Sequence, residues 1–274
     1  MVRKLAPEKA TSDMQKRKSP SRLKRHNQGQ VGLGALAPVE LRDTVNWYDE
    51  TGRIHRSPPS RTLLDRDLHL SRRARTAPQH ANQVNYPGLY WQSQLDSHIW
   101  YESLFEMTAL MWLDYRHELR GLASQPMLLQ FADGTKHFPD FFALHANGRQ
   151  VLYDVKPADR ISDRFRAQAQ ETRRICDEIG WGYEIFTGID RVLNRNLTWL
   201  SAYRSPRYRP ESTLKDAVLA RFEEPMEFGA ATQIRLFENK KQGISTISSL
   251  LWTRALTFDM SHPLCTQTNL KRES

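Results

Sequence analysis

The sequence predicts an α/β protein in which helices flank a mixed sheet. Three observations support this fold class. Two apolar-rich runs flank the dipeptide Asn147–Gly148, a helical pattern follows over residues 165–179, and another apolar run lies at residues 183–186. The first pair of runs predicts an antiparallel hairpin, because Asn-Gly favours tight turns. The strand, helix and strand that follow imply a parallel crossover, so we expect one sheet with both strand directions.

Residues 1–80 are predicted to form a basic, partly disordered N-terminal extension. They contain 17 Lys or Arg and 8 Asp or Glu, so they carry the whole net charge of +9. The first thirty residues have too little apolar content to build a core, and we expect a flexible arm. Its cluster of Lys16, Arg17 and Lys18 is a candidate for contacts with DNA phosphates. A solvated tail that only confers solubility is the alternative interpretation.

The second part of this extension, residues 31–80, has a different pattern. Apolar and aromatic residues on both sides of Asp49–Gly52 predict a small hairpin. The proline pair Pro58–Pro59 and the basic run Ser71–Thr76 are predicted to be linkers. The sequence indicates no function for this hairpin.

A buried helix is predicted within YESLFEMTALMWLDY, residues 101–115. Apolar side chains occupy nearly every face of it, as in a helix covered on all sides. Of its two candidate carboxylates, Glu106 is favoured over Glu102 because it shares an inward stripe with two leucines. Ser103 and Glu106 also fit a capping box, so capping is the competing interpretation, and the two roles can coexist.

The stretch HFPDFFALHANGRQVLYDVKP contains the most informative residues. Asp140 precedes the first strand of the predicted hairpin, Asp154 lies in the second, and 13 residues separate them. Side chains alternate along a strand, so Asp154 and Lys156 point to one side and Val155 to the other. Two carboxylates and an ammonium in one small volume favour a hard divalent cation and phosphodiester hydrolysis. A turn aspartate and a surface ion pair are the alternative, but charges on buried strands are usually paired or bind metal.

The helical pattern after Lys156 is expected to end at Gly180. Its exposed side chains include Arg164 and Arg173, which are candidates for contacts with DNA phosphates near the carboxylates. A helix with mixed charges is more often simply solvated, and this interpretation stays open. We expect Cys176 to be buried in the packing of this helix.

These motifs together resemble the TnsA-like endonuclease subunits of heteromeric transposases, a branch of the restriction-endonuclease-like PD-(D/E)xK nucleases. The resemblance covers about Tyr86 to Arg204, within a predicted domain of residues 81–204. It rests on YPGLYWQSQLDSHIWYESLFEMTALMWLDY, GLASQP, HFPDFFA, VLYDVKP, ETRRICDEIGWGYEIFTG and NLTWLSAYR.

The resemblance implies a restriction-endonuclease-like fold and a catalytic set of Glu106, Asp140 and Lys156, with Asp154 as a further acidic ligand. The three carboxylates and the carbonyl of Val155 would hold Mg²⁺, which Mn²⁺ could replace. It further implies nicking of double-stranded DNA at transposon ends beside a DDE-type transposase subunit. An ATP-dependent transposition regulator would be another partner.

Residues 210–274 resemble the winged-helix-like C-terminal module of such subunits. Helices are predicted in LKDAVLARF and ISTISSLLWTRAL, and a strand pair or wing in ALTFDMSHPL. The segment is net neutral, which favours a protein contact over a dedicated DNA reader. A small core is expected from Leu214, Ala217, Val218, Phe222, Ile247, Leu250, Leu251 and Trp252.

Other chemistries and locations are disfavoured. No Gly-rich phosphate loop, G-x-S-x-G elbow or H-E-x-x-H helix occurs, which argues against an ATPase, a serine hydrolase or a zinc protease. The two cysteines, Cys176 and Cys265, have no paired spacing and favour a reducing compartment. No apolar run approaches the ~18 residues of a membrane span, so we expect a bacterial cytoplasmic protein without a membrane partner.

Two alternatives to the transposase nuclease remain open. One is a stand-alone restriction or repair nuclease that uses the same residues. The other is a catalytically idle DNA-binding assembly factor of a transposition complex.

Overall fold

A mixed sheet lies at the centre of this computed structural model, which describes residues 42–75, 86–116 and 118–273. The strands are β1 (Thr44–Tyr48), β2 (Ile54–Ser57), β3 (Gly88–Gln92), β4 (Ser97–Tyr101), β5 (Leu119–Ser124), β6 (Met127–Gln130), β7 (Lys136–His137), β8 (Phe141–His145), β9 (Gln150–Val155), β10 (Gly182–Phe186), β11 (Met226–Glu227), β12 (Leu256–Thr257) and β13 (Asn269–Arg272). The central sheet has the order β10-β9-β8-β5, antiparallel except that β10 runs parallel to β9. The predicted α/β class and the mixed sheet are confirmed.

Helices cover both faces of the central sheet. They are α1 (Leu104–Arg116), α2 (Asp163–Ile179), α3 (Arg191–Ser201), α4 (Ser212–Leu219), α5 (Phe228–Ala231) and α6 (Lys240–Trp252). Along β9, Val151 and Tyr153 belong to the apolar core that contains α1, whereas Leu152 belongs to the core that contains α2. The alternation predicted for this strand is therefore confirmed. Within the described residues, no helix is long and apolar enough to cross a membrane.

α2 begins and ends where the sequence predicts. The Ser162 hydroxyl caps it by accepting a hydrogen bond from the N–H of Phe165 at 3.2 Å. Gly180 ends it with a positive φ of 98° and donates its N–H to the carbonyl of Cys176 at 2.8 Å. Such a left-handed end favours glycine because the residue has no Cβ. Cys176 is fully buried, as expected.

The N-terminal hairpin is confirmed and is part of a larger sheet. β1 pairs with β2 and also with β6, giving the order β2-β1-β6-β7. The linkers predicted at Pro58–Pro59 and Ser71–Thr76 are wrong where the structure describes them, because Pro59 and Ala74 are buried and the N–H of Ala74 donates to the carbonyl of Gln125 at 2.7 Å. Leu63 and Leu68, which lie between these runs, are also buried. Burial of these few apolar side chains anchors the segment, although its prolines and arginines suggested a flexible linker. Lys16, Arg17 and Lys18 lie outside the described residues.

The C-terminal region contains α4, α5, α6 and a small antiparallel sheet of order β11-β13-β12. The helices are as predicted, but the strand pair within ALTFDMSHPL is wrong. Only Leu256–Thr257 forms a strand there, and it pairs with β13. The chain turns at Asp259, whose carboxylate accepts hydrogen bonds from the N–H and the hydroxyl of Ser261 at 2.9 and 2.6 Å. The buried members of the predicted small core lie in one apolar cluster, and this cluster also contains the buried residues of α1.

Candidate metal centre

Asp140 and Asp154 lie near each other at the open end of the β8–β9 hairpin. The paired register ends with Phe141 opposite Tyr153, Asp140 and Asp154 are the next residue on each strand, and the charge of Asp154 raises the pKa of Asp140. Asp140 donates its N–H to the carbonyl of Tyr153 at 3.0 Å, and its Oδ2 accepts the N–H of Val155 at 2.7 Å. The predicted juxtaposition of the two carboxylates is therefore present.

The turn of this hairpin differs from the prediction in one detail. Gly148 takes the left-handed conformation, with a φ of 82°, but Asn147 does not. Instead, the Asn147 side chain accepts the N–H of Arg149 at 3.0 Å, and His145 donates its N–H to the carbonyl of Arg149 at 2.8 Å. A side-chain bond of this kind is the second way in which asparagine stabilises turns.

Asp154 is the most enclosed of the candidate ligands, with 1% of its surface exposed. Both oxygens lie 3.0 Å from Nε2 of His137, and Oδ2 also accepts a hydrogen bond from the Tyr183 hydroxyl. Burial and the charge of Asp154 raise the pKa of Tyr183, so this phenol stays a donor. Nδ1 of His137 lies 2.6 Å from the amide nitrogen of Gln168 on α2.

Glu106 forms the capping box that the sequence analysis weighed against a ligand role. The Ser103 hydroxyl accepts the N–H of Glu106 at 3.2 Å, which is the first half of a capping box. The Glu106 carboxylate accepts the N–H of Glu102 at 2.7 Å and the hydroxyl of Ser103 at 3.1 Å. The cap is confirmed, and it fixes the carboxylate at the start of α1.

The pKa shifts show that these carboxylates form one electrostatic cluster. Burial, then the charge of Asp154 and then that of Glu106 raise the pKa of Asp140 well above its usual range. Burial is also the largest cause that raises the pKa of Glu106, and the neighbouring charge of Glu102 adds to it. Hydrogen bonds and the nearby cation of Arg75 partly offset this second shift. Like charges disfavour ionisation, which a bound cation would reverse.

Glu102, the candidate that the sequence analysis ranked second, belongs to this cluster. One of its oxygens lies 3.6 Å from the guanidinium of Arg75, and its side chain is 12% exposed. Its other oxygen, Oε1, is buried without a hydrogen-bond partner among the described residues. Buried carboxylate oxygens are rarely left in this state without a ligand or an ion.

Lys156 lies just beyond the last residue of β9. Its N–H donates to the carbonyl of Phe186 at 2.9 Å, which extends the parallel pairing with β10. Its ammonium lies 5.6 Å from the ring centre of Phe165. No described carboxylate lies within 4 Å of this ammonium, so Lys156 forms no ion pair with a described residue.

The donor set fits a hard divalent cation in chemistry, since such ions take carboxylate oxygens. The mutual repulsion of Asp140, Asp154 and Glu106 and the unpartnered Glu102 oxygen support this fit. However, in the described part of the chain, no three His, Cys, Asp or Glu side chains converge closely enough to hold a metal ion. A bound ion would therefore require some of these carboxylates to change rotamer.

The sequence analysis missed several residues around the carboxylates. Tyr183 was regarded only as part of a strand, and His137 was given no role although it lies three residues before Asp140. Gln125 is 2% exposed, has a positive φ of 45° and donates its N–H to the carbonyl of Asp140 at 2.8 Å. Its side-chain oxygen is buried without a partner within the described residues. Strained, buried polar residues of this kind cluster at functional sites.

The two candidate DNA-binding arginines of α2 have different surroundings. Arg164 is exposed and lines a groove of about 430 Å³ together with Lys136 and Gln168. The Arg173 guanidinium lies 5.3 Å from the ring centre of Tyr183, the same ring that donates to Asp154. Both arginines are therefore on the surface near the His137–Asp154 contact.

No protein-family model matches the chain, and no curated protein matches it. The family expected from residues 86–204 and the roles that it implies stay predictions. The assignment of a function therefore depends on the site.

Proposed function

We propose that the chain is a metal-dependent DNA endonuclease, acting as a subunit of a heteromeric transposase that hydrolyses phosphodiester bonds at transposon ends. The cluster of Asp140, Asp154 and Glu106, with Lys156 two residues after Asp154 and in no ion pair with a described carboxylate, carries the proposal. Such a set of hard oxygen donors and an ammonium suits the charge that develops on a phosphate during hydrolysis.

The proposed fold is restriction-endonuclease-like, with a winged-helix-like module at the C-terminus. The mixed sheet between α1 and α2 supports the first part. The small helices α4 to α6 and their three-stranded sheet support the second. We also propose that the protein works in the reducing bacterial cytoplasm.

In the proposed mechanism, Asp140, Asp154 and Glu106, with the carbonyl of Val155, would hold Mg²⁺, or Mn²⁺ in its place. The ion would supply Lewis-acid polarisation of the phosphate and a more acidic water. Lys156 would orient the attacking water or neutralise charge growing on the phosphate, and in its neutral amine form it would take the proton of that water.

Duplex DNA would approach the centre along positively charged groups. Arg164 and Arg173 would contact phosphates near the site, and the arm with Lys16, Arg17 and Lys18 would add salt-dependent affinity. A DDE-type transposase subunit would cut and join the other strand, and an ATP-dependent regulator would control assembly.

A strand-specific nicking assay with Mg²⁺ tests this proposal on DNA that carries transposon ends. Asp140→Ala and Lys156→Ala should each lower the rate at least about 100-fold, the loss expected when a group that stabilises the transition state is removed. Asp177→Asn and Lys241→Ala are matched controls, because both residues are exposed and lie outside the carboxylate cluster. Undiminished cleavage by Asp140→Ala would refute the site assignment.

The same assay, with and without the neighbouring transposase, separates the alternatives. Cleavage that needs the transposase and is lost in the variants supports the transposase subunit. Cleavage by the chain alone favours a stand-alone restriction or repair nuclease. No cleavage under any condition, together with no binding of divalent ions, favours the idle assembly factor.

A further inference from the structure

The carboxylate of Asp154 is held by side chains from three separate elements. His137 of β7, in the sheet β2-β1-β6-β7, and Tyr183 of β10 contact the carboxylate directly, and Gln168 of α2 supports it through the ring of His137. We infer that His137 is a positioning residue that fixes the orientation of the Asp154 carboxylate for metal binding, and that Gln168 in turn fixes the ring of His137. The inference rests on the proposed function and deepens it.

The hydrogen bonds define the direction of each donor. An ionised carboxylate only accepts hydrogen bonds, so Nε2 of His137 carries the hydrogen that lies between the two oxygens of Asp154. In a neutral ring Nδ1 is then an acceptor, and it receives a hydrogen from the amide nitrogen of Gln168 at 2.6 Å. This pattern sets both the tautomer of His137 and the orientation of the Gln168 amide.

The contact of His137 with both oxygens restricts rotation of the carboxylate more than a bond to one oxygen would. Nε2 is 3.0 Å from each oxygen, and His137 is only 8% exposed, so the ring has little freedom to move. Each carboxylate oxygen has more than one lone pair, so these bonds leave acceptor sites for an ion. Outer partners of this kind typically change metal affinity by about 10–100-fold when removed.

A purely structural role is the competing explanation, because any buried carboxylate needs hydrogen bonds. The two explanations differ in what His137→Phe would change. If His137 only satisfied a buried group, the variant would lose stability, but its folded molecules would bind metal as before. If it positions Asp154, the metal affinity of the folded variant must also fall.

Mn²⁺ is a suitable probe, because the electron paramagnetic resonance signal of the free ion reports binding without any turnover. We expect His137→Phe to raise the Mn²⁺ dissociation constant about 10–100-fold. His137→Gln keeps an amide N–H near the position of Nε2 and should restore the constant to within about threefold of wild type. Gln168→Met leaves the ring bonded to Asp154 but unsupported, so a smaller rise is expected.

His145→Phe is the matched control. His145 is 7% exposed, and its Nε2 lies 3.1 Å from the Tyr153 hydroxyl rather than from a carboxylate. Both histidine-to-phenylalanine variants should lower the melting temperature, but His145→Phe should leave the Mn²⁺ dissociation constant unchanged.

The outcomes distinguish failure of this inference from failure of the proposed function. A folded His137→Phe that binds Mn²⁺ like wild type overturns the positioning role, while the nuclease proposal stands. If His137→Phe does not fold, the Mn²⁺ dissociation constants of Gln168→Met and His137→Gln decide. A wild-type constant in Gln168→Met overturns the inference. A raised constant in Gln168→Met, together with a nearly wild-type constant in His137→Gln, supports it. Absence of Mn²⁺ binding by wild type, with Asp140→Asn indistinguishable from it, overturns both.

Discussion

Asp140 is the residue at which stability and chemistry conflict. Burial and the charges of Asp154 and Glu106 raise the pKa of its carboxyl well above the usual range. At a pH between the pKa of the unfolded chain and the raised pKa of the fold, the folded protein keeps a proton that the unfolded chain has lost. The free energy of unfolding therefore falls as the pH rises through this window. Ionisation of Asp140, which metal binding would need, therefore lowers the stability of the metal-free fold.

Asp140→Asn should relieve this conflict, because it removes the ionisable group but keeps an oxygen for the N–H of Val155. Without divalent ions at neutral pH, we expect the variant to unfold with a free energy about 1 kcal/mol higher than wild type. The difference should shrink as the pH falls towards about 4, where an aspartate of the unfolded chain takes up its proton. Urea unfolding over a series of pH values measures it.

The matched control for this measurement is Asp177→Asn, an exposed aspartate on α2. It should show no comparable dependence on pH. Added Mg²⁺ should stabilise wild type but not Asp140→Asn, since the ion binds the ionised site. A variant that is less stable than wild type at neutral pH would contradict the electrostatic account.

At the scale of elements, local sequence patterns correctly predicted one hairpin, one helix with its end, and the start of another helix. The turn residues at Asn147–Gly148 predicted the β8–β9 hairpin, and the buried positions of α2 with the stop at Gly180 predicted that helix. The Ser103 to Glu106 pattern predicted the start of α1. Each of these signals lies within a few residues of the structure that it specifies.

The parallel crossover from β9 to β10 was predicted, but the register of pairings between distant segments could not be predicted in this way. The two-residue strand β7 is too short to show a period, yet it brings His137 to Asp154. Tyr183 reaches the same carboxylate because β10 lies parallel to β9 after a helical crossover, a contact between residues far apart in the chain. The linkers predicted at Pro58–Pro59 and Ser71–Thr76 were wrong, because the prolines and arginines of these runs gave no sign that Pro59 and Ala74 are buried.

The packing of α6 can be tested at Gly243. A Cβ at this position would lie 2.0 Å from the backbone oxygen of Thr232, a group that cannot rotate away. Gly243→Ala gains about 1 kcal/mol in helix propensity. Overpacking of a core costs about 1–3 kcal/mol, and a clash with backbone should fall at the upper end. We therefore expect a net loss of about 1–2 kcal/mol, measured by urea unfolding.

The control for this glycine is Lys241→Ala, an exposed change on the same helix that should stay within about 0.5 kcal/mol of wild type. A more stable Gly243→Ala would mean that α6 and the turn at Thr232 separate easily. In that case the tight approach of the two segments would not contribute to the fold.

At the scale of the whole molecule, the predicted nuclease region and the predicted C-terminal module share one core. Leu110 of α1, Leu251 of α6 and Leu270 of β13 belong to the same apolar cluster. Polar contacts reinforce it, since the indole N–H of Trp252 donates to the Ser93 hydroxyl at 3.1 Å. The rings of Trp252 and of Tyr115 at the end of α1 also contact each other, with centroids 5.5 Å apart, so the C-terminal region contributes to the packing around this helix.

A chain that ends at Arg204 should consequently fail to fold cooperatively. This truncation removes α4 to β13 and would expose the apolar residues of α1 and α3. The core would then lose buried apolar surface that stabilises it. Thermal unfolding followed by circular dichroism and limited proteolysis of the truncated chain measure this. The double change Leu251→Ala and Leu270→Ala in the full chain offers a milder comparison and should lower stability by several kcal/mol, at about 2–5 kcal/mol for each buried leucine. A truncated chain that melts cooperatively at the wild-type temperature would show that residues 205–274 form an independent module, and that the shared core contributes little to the nuclease region.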